Sequence, residues 1–280
     1  KEYRRQRQMC IRDRVALKRQ VERWLRRKSL GIKYALKLDV KAAYPNTSHE
    51  VVMRILRHEI PGACWLLAVV QCLIRMAPHG GLLIGGYLEA WLFNLVASYI
   101  LRQTASYTKT RRGAASPLVI RDCSYMDDIT LLGRRWASLQ SAARQITEWT
   151  KTHIGLTIKD FWVRVDFLTV AEEHRRRHLD GAAKGCPGLD MAGYVMHRTY
   201  TTIRRGIFKR LRRQHLRAAV DLEERGSIPL FRSFKLVSYK GYFRHSRSRE
   251  AAEKLDQQHL FNAARCTIAY AANTERMIAA

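Results

Sequence analysis

The sequence predicts an α+β fold, a β-hairpin and strands among helices, followed by a basic helical C-terminal region. Three observations predict it. Apolar runs at 118–120 and 129–132 flank Tyr125-Met126-Asp127-Asp128, the pattern of a β-hairpin that presents two carboxylates at its turn. Strand-like segments there and at 34–40 alternate with helical stretches of ten residues or more. From Ile207 onward the pattern is helical and rich in Lys and Arg.

Each element has its own signal. Residues 11–28 carry Leu17, Val21, Trp24 and Leu25 at helical spacing, and Gly31 ends that helix. Residues 34–40 alternate in their second half and read as a strand with Asp39 near its end, closed by Pro45 and Asn46. Thr47 or Ser48 caps a helix over 49–58, and Pro61-Gly62 breaks it. Residues 63–76 predict a second helix, mostly buried. Pro78 to Gly81 predict a loop, and 87–104 a long apolar helix. Arg111-Arg112-Gly113 reads as an exposed basic turn. Residues 138–153 form an amphipathic helix with Leu139, Ala142, Ala143, Ile146 and Trp149 inward. Residues 156–159 and 163–165 predict strands, 171–187 an irregular insertion, and 190–196 a short hairpin. Helices over 229–245 and 249–270 complete the chain.

Composition narrows the function. The chain has 280 residues, 47% of them hydrophobic, which suits a folded core. Lys and Arg total 51 against 24 Asp and Glu, and a net charge of +27 points to a polyanion such as nucleic acid. Six cysteines contain no Cys-x-x-Cys pair, which argues against a zinc ribbon, a redox motif or a disulfide framework and fits a cytoplasmic location. His174 and His178 lie in a run of arginines that reads as a solvated basic segment. The apolar stretch 81–101 carries Glu89 and Asn94 and is too short between charges for a membrane span. The chain opens on Lys1, and its first helix has no evident partner layer. It is expected to be a fragment lacking an N-terminal portion, with the residues through Arg14 set aside.

The chemistry-bearing residues are carboxylates. Adjacent Asp127 and Asp128 repel each other, and a cation relieves that; hard oxygen ligands suit Mg²⁺ or Mn²⁺. Asp39, at a strand end, supplies a third. Three carboxylates and a basic chain suggest two-metal phosphoryl transfer on nucleic acid.

On these residues the sequence resembles the reverse transcriptases, in particular the prokaryotic group of group II intron, retroelement and phage-defence (antiviral) enzymes. Leu36 to Pro45 resembles motif A, with Asp39 followed by Tyr44 and Pro45; Gly81 to Gly86, continuing to Asn94, resembles motif B; Ser124 to Asp128 resembles motif C. Asp190 to Tyr194 resembles the primer-grip block, and Ser238 to His245 a thumb signature. The resemblance covers roughly residues 30–250. It implies a right-hand polymerase palm over 34–200, an antiparallel sheet with helices on one face, with a helical fingers-side insertion at about 48–80, and a helical basic thumb over 201–280. Residues 1–33 are then a remnant of largely missing fingers.

It also implies RNA-directed DNA synthesis from an RNA template, a DNA or RNA primer and dNTPs, with no membrane involved. Asp39, Asp127, Asp128 and the Val40 carbonyl would hold Mg²⁺ or Mn²⁺, with Asp128 in a supporting place. Tyr44 would exclude a 2′-hydroxyl. Gly85 and Gly86 would let backbone approach a base pair. Lys159 would protonate the pyrophosphate leaving group. Tyr125, Met126, Gly193 and Tyr194 would meet primer or template, and Arg204, Arg205, Lys209, Arg212 and Arg213 would track phosphates.

The chain departs from the family in motif B. Leu83 stands where Pro is usual, Gly86 where Asn is common, and Glu89-Ala90 where a Ser-Gln pair positions template or nucleotide. Glu89 is expected to hold an arginine. Two rivals follow from the residues. A catalytically silent RNA-binding scaffold predicts decayed carboxylates, and all three are present. An RNA-dependent RNA polymerase predicts Gly-Asp-Asp and a small or acidic residue near Tyr44. Retroelement mobility, diversity generation and phage defence share the same residues.

Overall fold

A computed structural model describes residues 2–77, 80–179 and 186–279, without the side chains of 2–12, 177–179 and 275–279. The chain folds as α+β with small antiparallel sheets, in two compact units, Lys1–Gly188 and Leu189–Ala280. The division falls at 188/189 rather than near 200. Residues 189–203 form a sheet of their own, whose Gly193 carbonyl accepts from the Arg204 N–H at 3.1 Å and which packs on the C-terminal helices.

In the first unit, α1 (Glu2–Arg26) leads through a short 3₁₀ turn and Gly31, at φ +58, into β1 (Tyr34–Asp39). Then come α2 (Ala43–Asn46), α3 (His49–Glu59), α4 (Cys64–Arg75) and α5 (Tyr87–Ser106). The Ser48 Oγ accepts from the Val51 N–H, so Ser48 is the cap of α3. A ribbon of β2 (Thr108–Arg111) and β3 (Ala114–Pro117) precedes β4 (Arg121–Tyr125) and β5 (Asp128–Gly133). After α6 (Trp136–Trp149) and a single π-helical turn come β6 (Val163–Asp166) and α7 (Val170–Leu179).

The main sheet has the order β4-β5-β1-β6, all antiparallel. Its core joins Leu36 and Leu38 of β1, Ile129 and Leu131 of β5, Phe93, Val96 and Ile100 of α5, and Leu139 and Ile146 of α6. Burying side chains of this size contributes about 1.5–3 kcal/mol each. β1 is one of the two inner strands, and Asp39 at its end is held by pairing with Asp128 and by the Lys159 N–H, which donates to its carbonyl.

Several expectations are corrected. The run 118–120 is buried at Leu118 and Val119 but precedes the strand; β4 is the more polar Arg121–Tyr125. The basic turn at 111–113 is the tip of a hairpin whose strands are exposed throughout, so no apolar alternation marked them. Residues 156–159 make a single bridge, Ile158 to Val40, rather than a strand. The insertion at 171–187 opens as α7. Thr169 and Glu172 form a capping box, with the Thr169 N–H donating to Glu172 Oε2 and the Glu172 N–H to Thr169 Oγ1. Its residues 180–185, like Pro78 and His79 of the expected loop, lie outside the described residues. α4 buries only Val70 and Ile74, while Trp65, Val69, Leu73 and Met76 are exposed; one face packs, not both.

The second unit contains β7 (Leu189–Met191), β8 (Tyr194–Met196), β9 (Thr201–Ile203), α8 (Arg205–Arg225), α9 (Leu230–Arg244), α10 (Arg249–Lys254) and α11 (Gln257–Ala279). The last expected helix is thus two, broken at Asp256, whose φ is +44. Its cores gather Ala218, Ile228, Leu236 and Leu260, and Ile203, Leu211 and Phe243.

Candidate functional site

Register brings the carboxylates together. Asp39 ends β1 and Asp128 begins β5, and the two are cross-strand partners. Tyr125 pairs with Asp128 across the β4–β5 hairpin, so the turn is Met126-Asp127 and Asp128 belongs to the strand. Met126 sits at φ +53, a left-handed conformation that costs a non-glycine residue about 1 kcal/mol or more. The turn is fixed from outside: the Val40 N–H donates to the Asp127 carbonyl at 3.1 Å. Asp127 is exposed, and among the described residues its carboxylate has no ion-pair partner.

Two lysines answer the other acids. Lys159 Nζ lies 2.8 Å from Asp39 Oδ1, and the Lys159 N–H donates to the Asp39 carbonyl at 2.9 Å. Lys37 Nζ lies 2.7 Å from Asp128 Oδ2. Lys37 was not among the expected site residues. It precedes Asp39 by two on β1 and so shares its face, a diagonal neighbour of Asp128.

Burial raises the Asp128 carboxyl above its usual range. Lys37 opposes this, and Asp127 and Asp39 add to it. The ammonium of Lys159 is held above its ordinary value, chiefly by its hydrogen bond to Asp39, with the charges of Asp39, Asp127 and Asp128 contributing. All three carboxylates therefore act on one lysine.

The motif A and B segments lock together beside them. Ala42, at φ +46, turns the chain into α2, where Asn46 Nδ2 donates to the Lys41 carbonyl at 2.8 Å. The Tyr44 carbonyl accepts from the Leu82 N–H at 2.9 Å. A β-carbon on Gly81 would meet the Pro45 carbonyl oxygen at 1.9 Å, so only glycine fits there. The Tyr44 ring stacks on Phe93, centroids 5.0 Å apart.

A cleft of about 270 Å³ opens at this point. Tyr44, Ala90, Asn94, Tyr125 and Met126 line it, with Asp13 and Leu17 of α1. Ala90, which stands where the family pattern has Gln, thus faces the cleft with a methyl group.

Gly85 sits at φ +93, a conformation that favours glycine. Gly86 does not offer open backbone: the buried Glu89 carboxylate covers it, and a β-carbon there would meet Glu89 Oε2 at 1.8 Å. Among the described residues Glu89 pairs with no arginine, which corrects that expectation; it folds back over the start of its own helix.

In the second unit, Ala192-Gly193 form a two-residue turn with both φ positive, +53 and +83. Gly193 abuts Ile207 and Tyr242. Tyr194 is fully buried, its ring 5.3 Å from Tyr242, so its side chain has no surface to offer a primer; it is a packing residue. Arg204 is engaged with Asp190 at 2.5 Å. Arg205, Lys209, Arg212, Arg213 and Arg217 on α8 are exposed and, among the described residues, without a carboxylate partner.

Among the described residues, no three His, Cys, Asp or Glu side chains close on one point. The donor set nonetheless suits a hard cation of the magnesium type, which is commonly held by one or two carboxylates together with water and substrate phosphates rather than by an all-protein cage. No helix among the described residues is long and apolar enough to cross a membrane.

No protein-family model matches the chain, and no curated protein matches it by sequence. Solved structures do. An apo telomerase from Candida tropicalis, truncated from its C-terminal domain, aligns with a TM-score of 0.44 and 10% identity over 69% of this chain and 39% of that one. Telomerase from Candida albicans, in complex with a fragment of telomeric RNA, aligns with a TM-score of 0.44 and 15% identity over 73% and 37%. The chain spans about two fifths of the length of these telomerases.

Proposed function

We propose that the chain is the palm and thumb of an RNA-directed DNA polymerase that adds dNTPs to a primer 3′-hydroxyl on an RNA template. The observation that carries this is the end of the β1–β5 pairing, where Asp39 and Asp128 are cross-strand partners, Asp127 stands on the adjoining turn, and the Tyr44 cleft opens alongside.

Asp39, Asp127 and the Val40 carbonyl would hold Mg²⁺ or Mn²⁺, with Asp128 in support. The bound ions supply charge neutralisation and a more acidic attacking hydroxyl. Lys37 and Lys159 neutralise the carboxylates until cation and triphosphate arrive. Lys159, kept protonated by the same acids, is then placed to give its proton to the pyrophosphate. The Tyr44 ring, braced on Phe93, narrows the cleft where a sugar 2′-hydroxyl would lie. Arg205, Lys209, Arg212 and Arg213 grip phosphates of the template–primer duplex without reading sequence.

Extension of a primer annealed to RNA, with dNTPs and rNTPs compared, tests this. The expected result is a dNTP-dependent ladder that needs Mg²⁺ or Mn²⁺ and is lost in Asp39→Asn. Preferential use of rNTPs would favour an RNA polymerase instead, and a ladder unchanged in Asp39→Asn would overturn the site.

A further inference from the structure

A second groove, of about 850 Å³, lies elsewhere on the first unit, between the β2–β3 ribbon and the start of α6. Arg134, which lines it, follows β5, whereas Asp128 begins that strand. At about 3.3 Å per residue the two ends lie roughly 20 Å apart.

Among the described residues the lining carries Lys109, Arg111, Arg134 and Arg135 and no carboxylate. Lys109 and Arg111 are two apart in β2 and share a face. Arg134 is clamped: its guanidinium donates to the carbonyls of Leu30 and Ser29 at 2.8 and 2.9 Å. The side chains of Lys109, Arg111 and Arg135 form no ion pair among the described residues. Four cations converging on one concavity repel each other unless an anion sits there. The floor is small and apolar, with Leu118, Ile120 and Ala137, while Ser138, Ser141 and Gln145 of α6 add neutral hydrogen-bonding groups.

The ribbon makes the same point. Both its strands are exposed over their full length, so it buries little for the fold. A bare two-stranded ribbon is marginal by itself. What this one presents is charge: Lys109, Arg111 and, at the tip, Arg112.

We propose that this groove binds the phosphodiester backbone of a nucleic-acid strand at a place separate from the Asp39–Asp127–Asp128 cluster. Among the described residues its lining contains no aromatic ring on which a base could stack, so contact is with phosphates and is independent of sequence. A concave wall of cations suits a strand better than a membrane surface, which calls for exposed apolar groups to insert. The inference rests on this charge set, not on the polymerase reading, and its test reads binding rather than synthesis.

Anisotropy of a labelled single-stranded RNA is measured over a salt series for a protein with the groove unaltered and for Lys109→Ala/Arg111→Ala/Arg135→Ala, with a DNA strand of the same sequence in parallel. Both proteins also carry Lys209→Ala/Arg213→Ala, which weakens contacts made by α8. Losing three phosphate contacts should lower the slope of log affinity against log salt by about 2. Binding should fall at least tenfold at low salt, and the exchange Lys109→Arg/Arg111→Lys/Arg135→Lys should restore it. RNA and DNA should respond alike, as phosphate contact requires. Circular dichroism melts check folding. If the triple variant fails to fold, Arg135→Ala alone should lower the slope by about 0.7. An unchanged slope in a folded variant would overturn the proposal. So would a variant that loses anionic vesicles of phosphatidylserine but keeps RNA.

Discussion

Asp128 is held by opposing demands. Burial favours its neutral form, Lys37 favours its charged form, and two acids stand beside it. In the proposed reading, a hard cation would relieve this arrangement. A second half-buried acid lies on β4. Burial pushes the Asp122 carboxyl up to about 6, its own backbone hydrogen bond and Arg121 opposing, and the neighbouring Cys123 thiol rises to about 12. A raised carboxyl binds a proton in the folded state that the unfolded chain has already released. Stability from this group is thus greatest below the ordinary carboxylate value and is lost as pH rises through about 6. Asp122→Asn should stabilise the protein by ~1–2 kcal/mol above pH 7 and by nothing near pH 3.5, read from denaturant melts at both values. Tyr44→Val should raise rNTP incorporation relative to dNTP by about tenfold or more, measured by competitive primer extension.

Elements explain what single residues do not. On α8, Arg205, Lys209, Arg213 and Arg217 recur every four residues, a stripe about 18 Å long at 1.5 Å per residue. Like charges at that spacing destabilise a helix by about 0.2–0.5 kcal/mol per pair, a cost that the proposed polyanionic partner would relieve. Lys209→Ala/Arg213→Ala should raise the melting temperature of the free protein slightly while lowering the salt slope for a duplex by about 1.8, followed by calorimetry and anisotropy. The β7–β8 turn is a packing device. Gly193 combines φ +83 with Ile207 and Tyr242 against its α-carbon, so Gly193→Val should cost roughly 3 kcal/mol in denaturant unfolding.

At the scale of the molecule, the sequence shows the parts whose physics is local. Asp39 and the Asp127-Asp128 pair stand out because apolar strand residues flank acids that would otherwise have no place there. The Ser48 cap and the apolar α5 are legible in the same way. What is missed depends on pairing across the chain. Lys37 becomes a site residue only through the β1–β5 register, and Glu89 is an internal cover for Gly86 only once α5 begins at Tyr87. The β2–β3 ribbon has no apolar face and so left no alternation to read. The Thr169–Glu172 capping box was a visible signal for α7.

Nucleotide addition at the Asp39–Asp127–Asp128 cluster is tested best at Asp127, which is exposed and whose carboxylate bears no ion pair among the described residues. Single-nucleotide primer extension on an RNA template with Mg²⁺ should fall by about a thousandfold or more in Asp127→Ala, with an unchanged melting curve and unchanged template–primer affinity. Extension by that variant at the rate of the unaltered protein would contradict the account.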